Sequence, residues 1–130
     1  FEPSSMLSQG TFQGVFVGSE LVGMAGTHVF AAEHGVAALG NVCTHPAHRR
    51  QGIARRAVTS CVRRIIHMME AASETSPSPS SSSQSSPTSP RRVIITLNVE
   101  ADNDAALKMY AALGFEWVMD FVEADVEAAK

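Results

Sequence analysis

The segment Ser73–Pro90 most constrains what this chain can fold into. Its 18 residues hold ten Ser and four Pro and no aliphatic or aromatic side chain. Such a segment cannot bury enough apolar surface to offset the entropy lost on ordering. It reads as a disordered Ser/Pro-rich insertion. Its Ser-Pro steps are candidates for phosphorylation, although a plain spacer accounts for the composition. What remains of the 130 residues suffices for one core and no more. Residues 1–130 therefore read as a single, partial domain, and 45% hydrophobic residues is ordinary for one.

The patterning on either side of the insertion predicts the elements. Thr11–Val17 is rich in Phe and Val and reads as a strand. Gly18-Ser19-Glu20 reads as a tight turn, and Leu21–Phe30 as the second strand of a hairpin. Glu33-His34-Gly35 marks another turn, and Val36–Thr44 a third strand. After the turn Pro46–Gly52, Ile53, Ala57, Cys61, Ile65 and Met68 recur at helical spacing. Ala54, Val58, Val62, Ile66 and Met69 widen that stripe, so an amphipathic helix is predicted to about Ala71. Beyond the insertion, Arg92–Val99 carries the apolar run Val93–Leu97, which suits a central strand buried on both faces. Asp102-Asn103-Asp104 supplies a helix cap and an acidic first turn. Ala106, Met109, Tyr110 and Leu113 form the buried stripe of that helix, and Gly114 sits at its C-terminal cap position. Glu116–Val122 reads as a last strand. The order predicts an α/β (α+β) domain with a mixed, largely antiparallel sheet and a crossover helix between the third and fourth strands.

Charge narrows the classes of partner. The formal charge of -3 implies none by itself. All eight Arg lie between Arg49 and Arg92, and no aromatic residues interleave with them to stack on bases. A local basic cluster in an acidic chain suggests a small anionic ligand and no nucleic acid. Cys43 and Cys61 form neither a disulfide framework nor a zinc site and read as two small buried hydrophobes. His45 and His48 flank Pro46, but two histidines without further ligands do not make a metal site, and no metal is expected. No apolar run is long enough for a membrane span, so no membrane partner is expected and an intracellular, cytoplasmic location is the default. The chain begins at Phe1 and reads as a fragment or a processed product.

The start of the first long helix, Arg50-Gln51-Gly52-Ile53, has no Ser, Thr, Asp or Asn at the expected cap. Four backbone N–H groups there need partners. Water or an anion can supply them, and the helix dipole favours the anion. Gly52 permits close approach. Arg49, Arg50, Arg55 and Arg56 surround the opening, so a diphosphate would meet both amides and guanidinium groups. A solvent-exposed basic turn fits these residues equally well.

The stretch Asn41–Ala54 resembles the acetyl-CoA motif of the GNAT superfamily, in which a strand and a Pro-containing turn lead to Arg/Gln-x-x-Gly-x-Gly/Ala at a helix start. Arg49, Gly52 and Ala54 fill the defined positions. Leu97-Asn98-Val99, Asn103–Ala106, Tyr110 and Leu113-Gly114-Phe115 resemble the second core motif of that superfamily. The likeness covers about Gly14 to Val122 and is closest to the acetyl-CoA-binding C-terminal portion, of the FR47-like subtype. It implies that the strands flanking the first helix splay apart to admit acetyl-CoA as cosubstrate. The backbone of Val42, Cys43 and Thr44 would pair with the pantetheine arm. The N–H groups from Arg50 through Gln51, Gly52, Ile53 and Ala54 to Arg55 would hold the diphosphate, beside Arg49. Asn103 would contact the arm, and Tyr110 would act as general acid toward the thiolate. A thiol of pKa about 8.5 benefits from such a donor, and Tyr at about 10 is protonated at neutral pH.

The resemblance implies an N-acetyltransferase acting on a primary amine of a small molecule or peptide, by direct attack in a ternary complex. A homodimer is compatible with it. A non-catalytic CoA-binding or interaction module of the same fold is the alternative. The absence of Gly-x-x-x-x-Gly-Lys-Ser/Thr argues against a P-loop. The N-terminal strand and two helices that wall the acceptor site in the superfamily are not evident before Thr11. His28, Glu33, His34, Glu100 and Asp102 are candidate general bases by residue type, and water is another route for the proton.

Overall fold

The computed structural model describes residues 3–74 and 92–120. After a short helix, α1 (Pro3–Ser8), the chain forms the hairpin β1 (Gln13–Val17) and β2 (Glu20–Ala31). A single 3-10 turn leads to β3 (Val36–Thr44), and a second, Pro46–His48, leads to the long helix α2 (Ile53–Glu74). Beyond the Ser/Pro region come β4 (Ile94–Leu97) and α3 (Asp104–Ala112). The sheet order is β1-β2-β3-β4. The first two pairings are antiparallel and β3–β4 is parallel. A parallel neighbour requires a crossover, which α2 supplies. The expected mixed, largely antiparallel sheet with flanking helices is the observed one. No described helix is long and apolar enough to cross a membrane.

The core lies between α2 and the sheet. Ile53, Ala57, Val58, Cys61, Ile65 and Met69 of α2 are buried against Val15, Val22, Ala25, Ala37 and Leu39. The helix buries Met69 rather than Met68. An i+4 series drifts around a helix, and a helix lying on a twisted sheet follows that inclined ridge. At the far side of the core, Thr11 and Thr27 share a buried hydroxyl–hydroxyl bond of 2.7 Å. The Cys61 thiol donates to the Thr11 carbonyl at 3.2 Å. Both polar groups are thereby satisfied in an apolar setting.

Four expectations change. Helix α2 runs through Ser73 to Glu74, and the Ser73 hydroxyl donates to the Met69 carbonyl at 2.9 Å. Most of the Ser/Pro insertion lies outside the described residues. Among the described residues the run 93–97 is an edge strand, with Ile94 44% exposed. Of the last predicted strand, Glu116–Asp120 has no regular secondary structure, and Phe121 and Val122 lie outside the described residues. Among the described residues β4 has one neighbour, β3, and Trp117, Val118 and Met119 are exposed. Cys43 is exposed while Cys61 is buried, because Cys43 lies on β3 past the point where β4 covers it.

Candidate functional site

Strands β3 and β4 pair only from Val36–Ile94 to Leu39–Leu97. Beyond Leu39, β3 runs on to Thr44 while β4 stops. A bulge bends β3 at this point: Gly26 pairs with Gly40 but Met24 with Cys43, and Asn41 takes up the extra residue at φ 52. Bulges bend strands and end pairing. From Gly40 to Thr44, β3 keeps β2 on one side and has no strand on the other among the described residues. The opening is a cleft of about 1100 Å³.

At one end of the cleft the chain turns into α2. The His45 amide bonds to the Val22 carbonyl at 2.8 Å and pins the turn to β2. Arg50 and Gly52 then take positive φ values of 64° and 75°. A left-handed residue beside a right-handed one turns successive N–H groups toward one side, the arrangement found in anion-binding concavities. A Cβ on Gly52 would meet no atom within 4 Å. Its glycine is thus called for by the backbone angle and not by crowding. The Gly52 carbonyl accepts from the Arg56 amide at 3.0 Å, which makes Gly52 the helix cap. Among the described residues nothing bonds to the amides of Ile53, Ala54 and Arg55. No described carboxylate pairs with Arg49, Arg50 or Arg55.

At the other end stands α3. The Asn103 side chain caps it by accepting from the Ala106 amide at 3.2 Å. The helix ends in a Schellman motif: the Gly114 amide bonds to the Ala111 carbonyl and the Phe115 amide to the Tyr110 carbonyl, with Gly114 at φ 91. That motif sets Phe115 edge-on to Tyr110, ring centroids 5.9 Å apart. Tyr110 is the one buried residue of α3. Burial raises its hydroxyl pKa above the ordinary tyrosine value, because the phenolate would lose its hydration.

The cleft is lined by Val42, Cys43 and Thr44 from β3, by Arg49, Arg50, Gly52, Ile53, Ala54 and Arg55 from the helix start, and by Asn103 and Tyr110. Gln51 points elsewhere, its side-chain amide 3.5 Å from the Ala47 carbonyl. Two lining side chains carry buried polar atoms without partners, Asn41 Nδ2 and Thr44 Oγ1. Leaving such a group unpaired costs about 1–3 kcal/mol. Among the base candidates, His28 and Glu100 line the cleft. Glu33 and His34 are 3.8 Å from each other at the 3-10 turn before β3, and Asp102 is not in the lining. His28 reaches the cleft through a second bulge, between Thr27 and Val29, and its ring fills the space that a Cβ on Gly40 would need.

The sequence motifs do not single out Asn41. The Gly40-Asn41 pair inside a strand pattern was the available signal for a bulge. The His28–Gly40 contact had none, since it depends on strand register.

Comparison with known proteins places this geometry. The sequence model of the family described as "Acetyltransferase (GNAT) family" matches residues 3–78. No curated protein matches. Among solved structures, a putative acetyltransferase from the GNAT family of Novosphingobium aromaticivorans is 28% identical, with a TM-score of 0.53. The likeness covers 81% of this chain and 36% of that one. The ribosomal-protein-S18-alanine N-acetyltransferase of Escherichia coli is 20% identical over 92% of this chain and 63% of its own, at a TM-score of 0.54. AAC(6')-Iy, in complex with the bisubstrate analogue CoA-S-monomethyl-acetylneamine, is 15% identical over 90% of this chain and 69% of its own, also at 0.54. This chain thus spans about a third of the first of these proteins and under two thirds of the second.

Proposed function

The chain belongs to the acetyltransferase (GNAT) family, and from that premise we propose that it transfers an acetyl group from acetyl-CoA to a primary amine. The observation that carries this reading is the single cleft that joins an amide-rich, arginine-flanked helix start to a buried tyrosine. Bound acetyl-CoA supplies the activated acetyl thioester. The amides of Arg50 to Arg55, with Arg49, hold its diphosphate where the dipole of α2 favours negative charge. The free edge of β3 at Val42, Cys43 and Thr44 offers backbone groups to the pantetheine arm. Asn103 borders the arm from the α3 side.

Tyr110 holds a proton for the departing thiolate. Burial keeps its hydroxyl protonated across neutral pH, the state a general acid requires. His28 or Glu100 receives the proton of the attacking amine, directly or through water. The amine attacks while both substrates are bound, so no acyl group rests on the protein. The acceptor is an amine of a small molecule or peptide. The FR47-like subtype rests on the likeness of the sequence motifs alone, over about Gly14 to Val122.

The test has two stages. CoA and acetyl-CoA at about a hundredfold excess over the dissociation constant should stabilise the chain by about 2.7 kcal/mol in thermal unfolding. Stabilisation by ATP without stabilisation by CoA sinks the proposal. Release of free thiol from acetyl-CoA across a panel of amines then separates an enzyme from a non-catalytic CoA-binding module.

A further inference from the structure

We propose that Glu20, His45 and His48 form a binding site for a divalent transition-metal ion of the zinc class. The site lies outside the cleft lining. It does not rest on the acyl-transfer reading. Two of its donors come from the 3-10 turn Pro46–His48 and its N-cap His45. The His48 amide bonds to the His45 carbonyl at 2.9 Å, and residues three apart stack along such a turn. The two imidazole centroids are accordingly 5.8 Å apart. The third donor comes from the hairpin. The bond from the His45 amide to the Val22 carbonyl holds this turn against β2, whose first residue is Glu20.

The three ligand atoms all lie within 4.8 Å of one another. A triangle with sides no longer than 4.8 Å has each corner within about 2.8 Å of a common centre, against about 2.0–2.2 Å for zinc bonds to His and carboxylate. Side-chain shifts of under about 1 Å therefore close the site. Glu20 and His45 are exposed and His48 is half-buried, so an ion has access from solvent and the side chains have room to adjust. The donors also stand apart rather than bonded to each other: among the described residues the one His–carboxylate pair within ion-pair distance is His34–Glu33. The nearest competing contact is weak. His45 Nδ1 accepts from the Ala47 amide at 3.3 Å in an exposed position, and coordination through that nitrogen would replace it.

The donor set selects the metal. Two imidazoles and one carboxylate suit zinc, nickel or copper and disfavour calcium or magnesium, which take oxygen ligands. Three protein ligands leave a coordination position for water. A bound ion would cross-link the β1–β2 hairpin to the turn that leads into Arg49–Arg55.

The test is calorimetric titration of the full, untagged, chelator-treated chain with zinc chloride. We expect one ion per chain, with His48→Gln and Glu20→Gln each weakening binding by at least about tenfold. His34→Gln, in the exposed His–Glu pair with only two donors, should leave binding unchanged. Cobalt should give a visible absorption band on the wild type that His48→Gln loses. Circular dichroism checks that each variant is folded. Zinc binding by a folded His45→Gln/His48→Gln double variant at wild-type strength overturns the proposal, as does no saturable binding by the wild type up to about 1 mM.

Discussion

The two walls of the cleft are built differently. One wall is β3 with α2: a nine-residue strand paired over its length and a 22-residue helix with six buried side chains. The other is β4 with α3: a four-residue strand with one neighbour among the described residues and a nine-residue helix that fully buries Tyr110 alone. The first wall is anchored along its whole length by apolar contact. The second is held by an Asn103 cap, a Schellman turn, four residues of parallel pairing and partly buried side chains such as Ile95, Leu97, Ala106 and Met109. The difference assigns rigidity to the wall proposed to grip the diphosphate. It leaves the proton-donor wall with fewer contacts, where local opening costs less.

The strongest way to break this comparison is to empty the core of the first wall. Ile65 is fully buried, and Ile65→Ala should cost about 2–5 kcal/mol in denaturant unfolding. Ile94→Ala on the second wall, at a residue 44% exposed, should cost about 1 kcal/mol or less. Equal losses would mean that the walls do not differ in anchorage.

Next in size are two substitutions that act on function at opposite ends of the cleft. Tyr110→Phe keeps the ring and its Phe115 contact and removes only the hydroxyl. Turnover should fall roughly 10- to 1,000-fold with acetyl-CoA binding retained. Unchanged turnover, measured where chemistry limits the rate, removes Tyr110 from the mechanism. Gly52→Ala should do the converse. A left-handed residue with a Cβ costs about 1–2 kcal/mol, so CoA affinity should drop about tenfold while Tyr110 is untouched. Thermal shift with CoA reads the first effect, and thiol release at saturating acetyl-CoA reads whether turnover survives.

The same contrast explains how much of the site was legible in the sequence. Asn41 to Ala54 are contiguous, so the strand, the Pro turn, the uncapped helix start and the special angle at Gly52 all leave local marks. Gly114 and Asn103 likewise announce the ends of α3. What escaped depends on contacts between distant segments. Whether Val93–Leu97 is a central or an edge strand is decided by a partner strand, and a near-continuous apolar run reads the same either way. The burial of Cys43 depends on where β4 stops. The bulge at Asn41 and the fit of His28 over Gly40 both follow from register, which a one-residue shift would invert. The approach of Glu20 to His45 and His48 spans the hairpin and the meander, and no motif records it.

The smallest expected effect separates the walls by their cysteines. Cys61 sits in the core of the first wall, and burial pushes its thiol up to about 11 from an ordinary 9.0. Cys43 is exposed in the cleft. In the unfolded chain the Cys61 thiol ionises near pH 9, whereas the folded protein holds its proton until about 11. A folded pKa above the unfolded one means a contribution to stability that is complete below pH 9 and is lost as pH rises through 11. Burial of the Tyr110 hydroxyl acts in the same sense, beginning above its ordinary value of 10.0. Denaturation midpoints should therefore stay level through neutral pH and decline above about 9, and Cys61→Ala should flatten the first part of that decline. At pH 8 a thiol reagent should label Cys43 quickly and Cys61 only on unfolding, and CoA in the cleft should slow the fast reaction. If Cys61 reacts as fast as Cys43 in the folded chain, the core beneath α2 opens freely. The first wall would then be no firmer than the second.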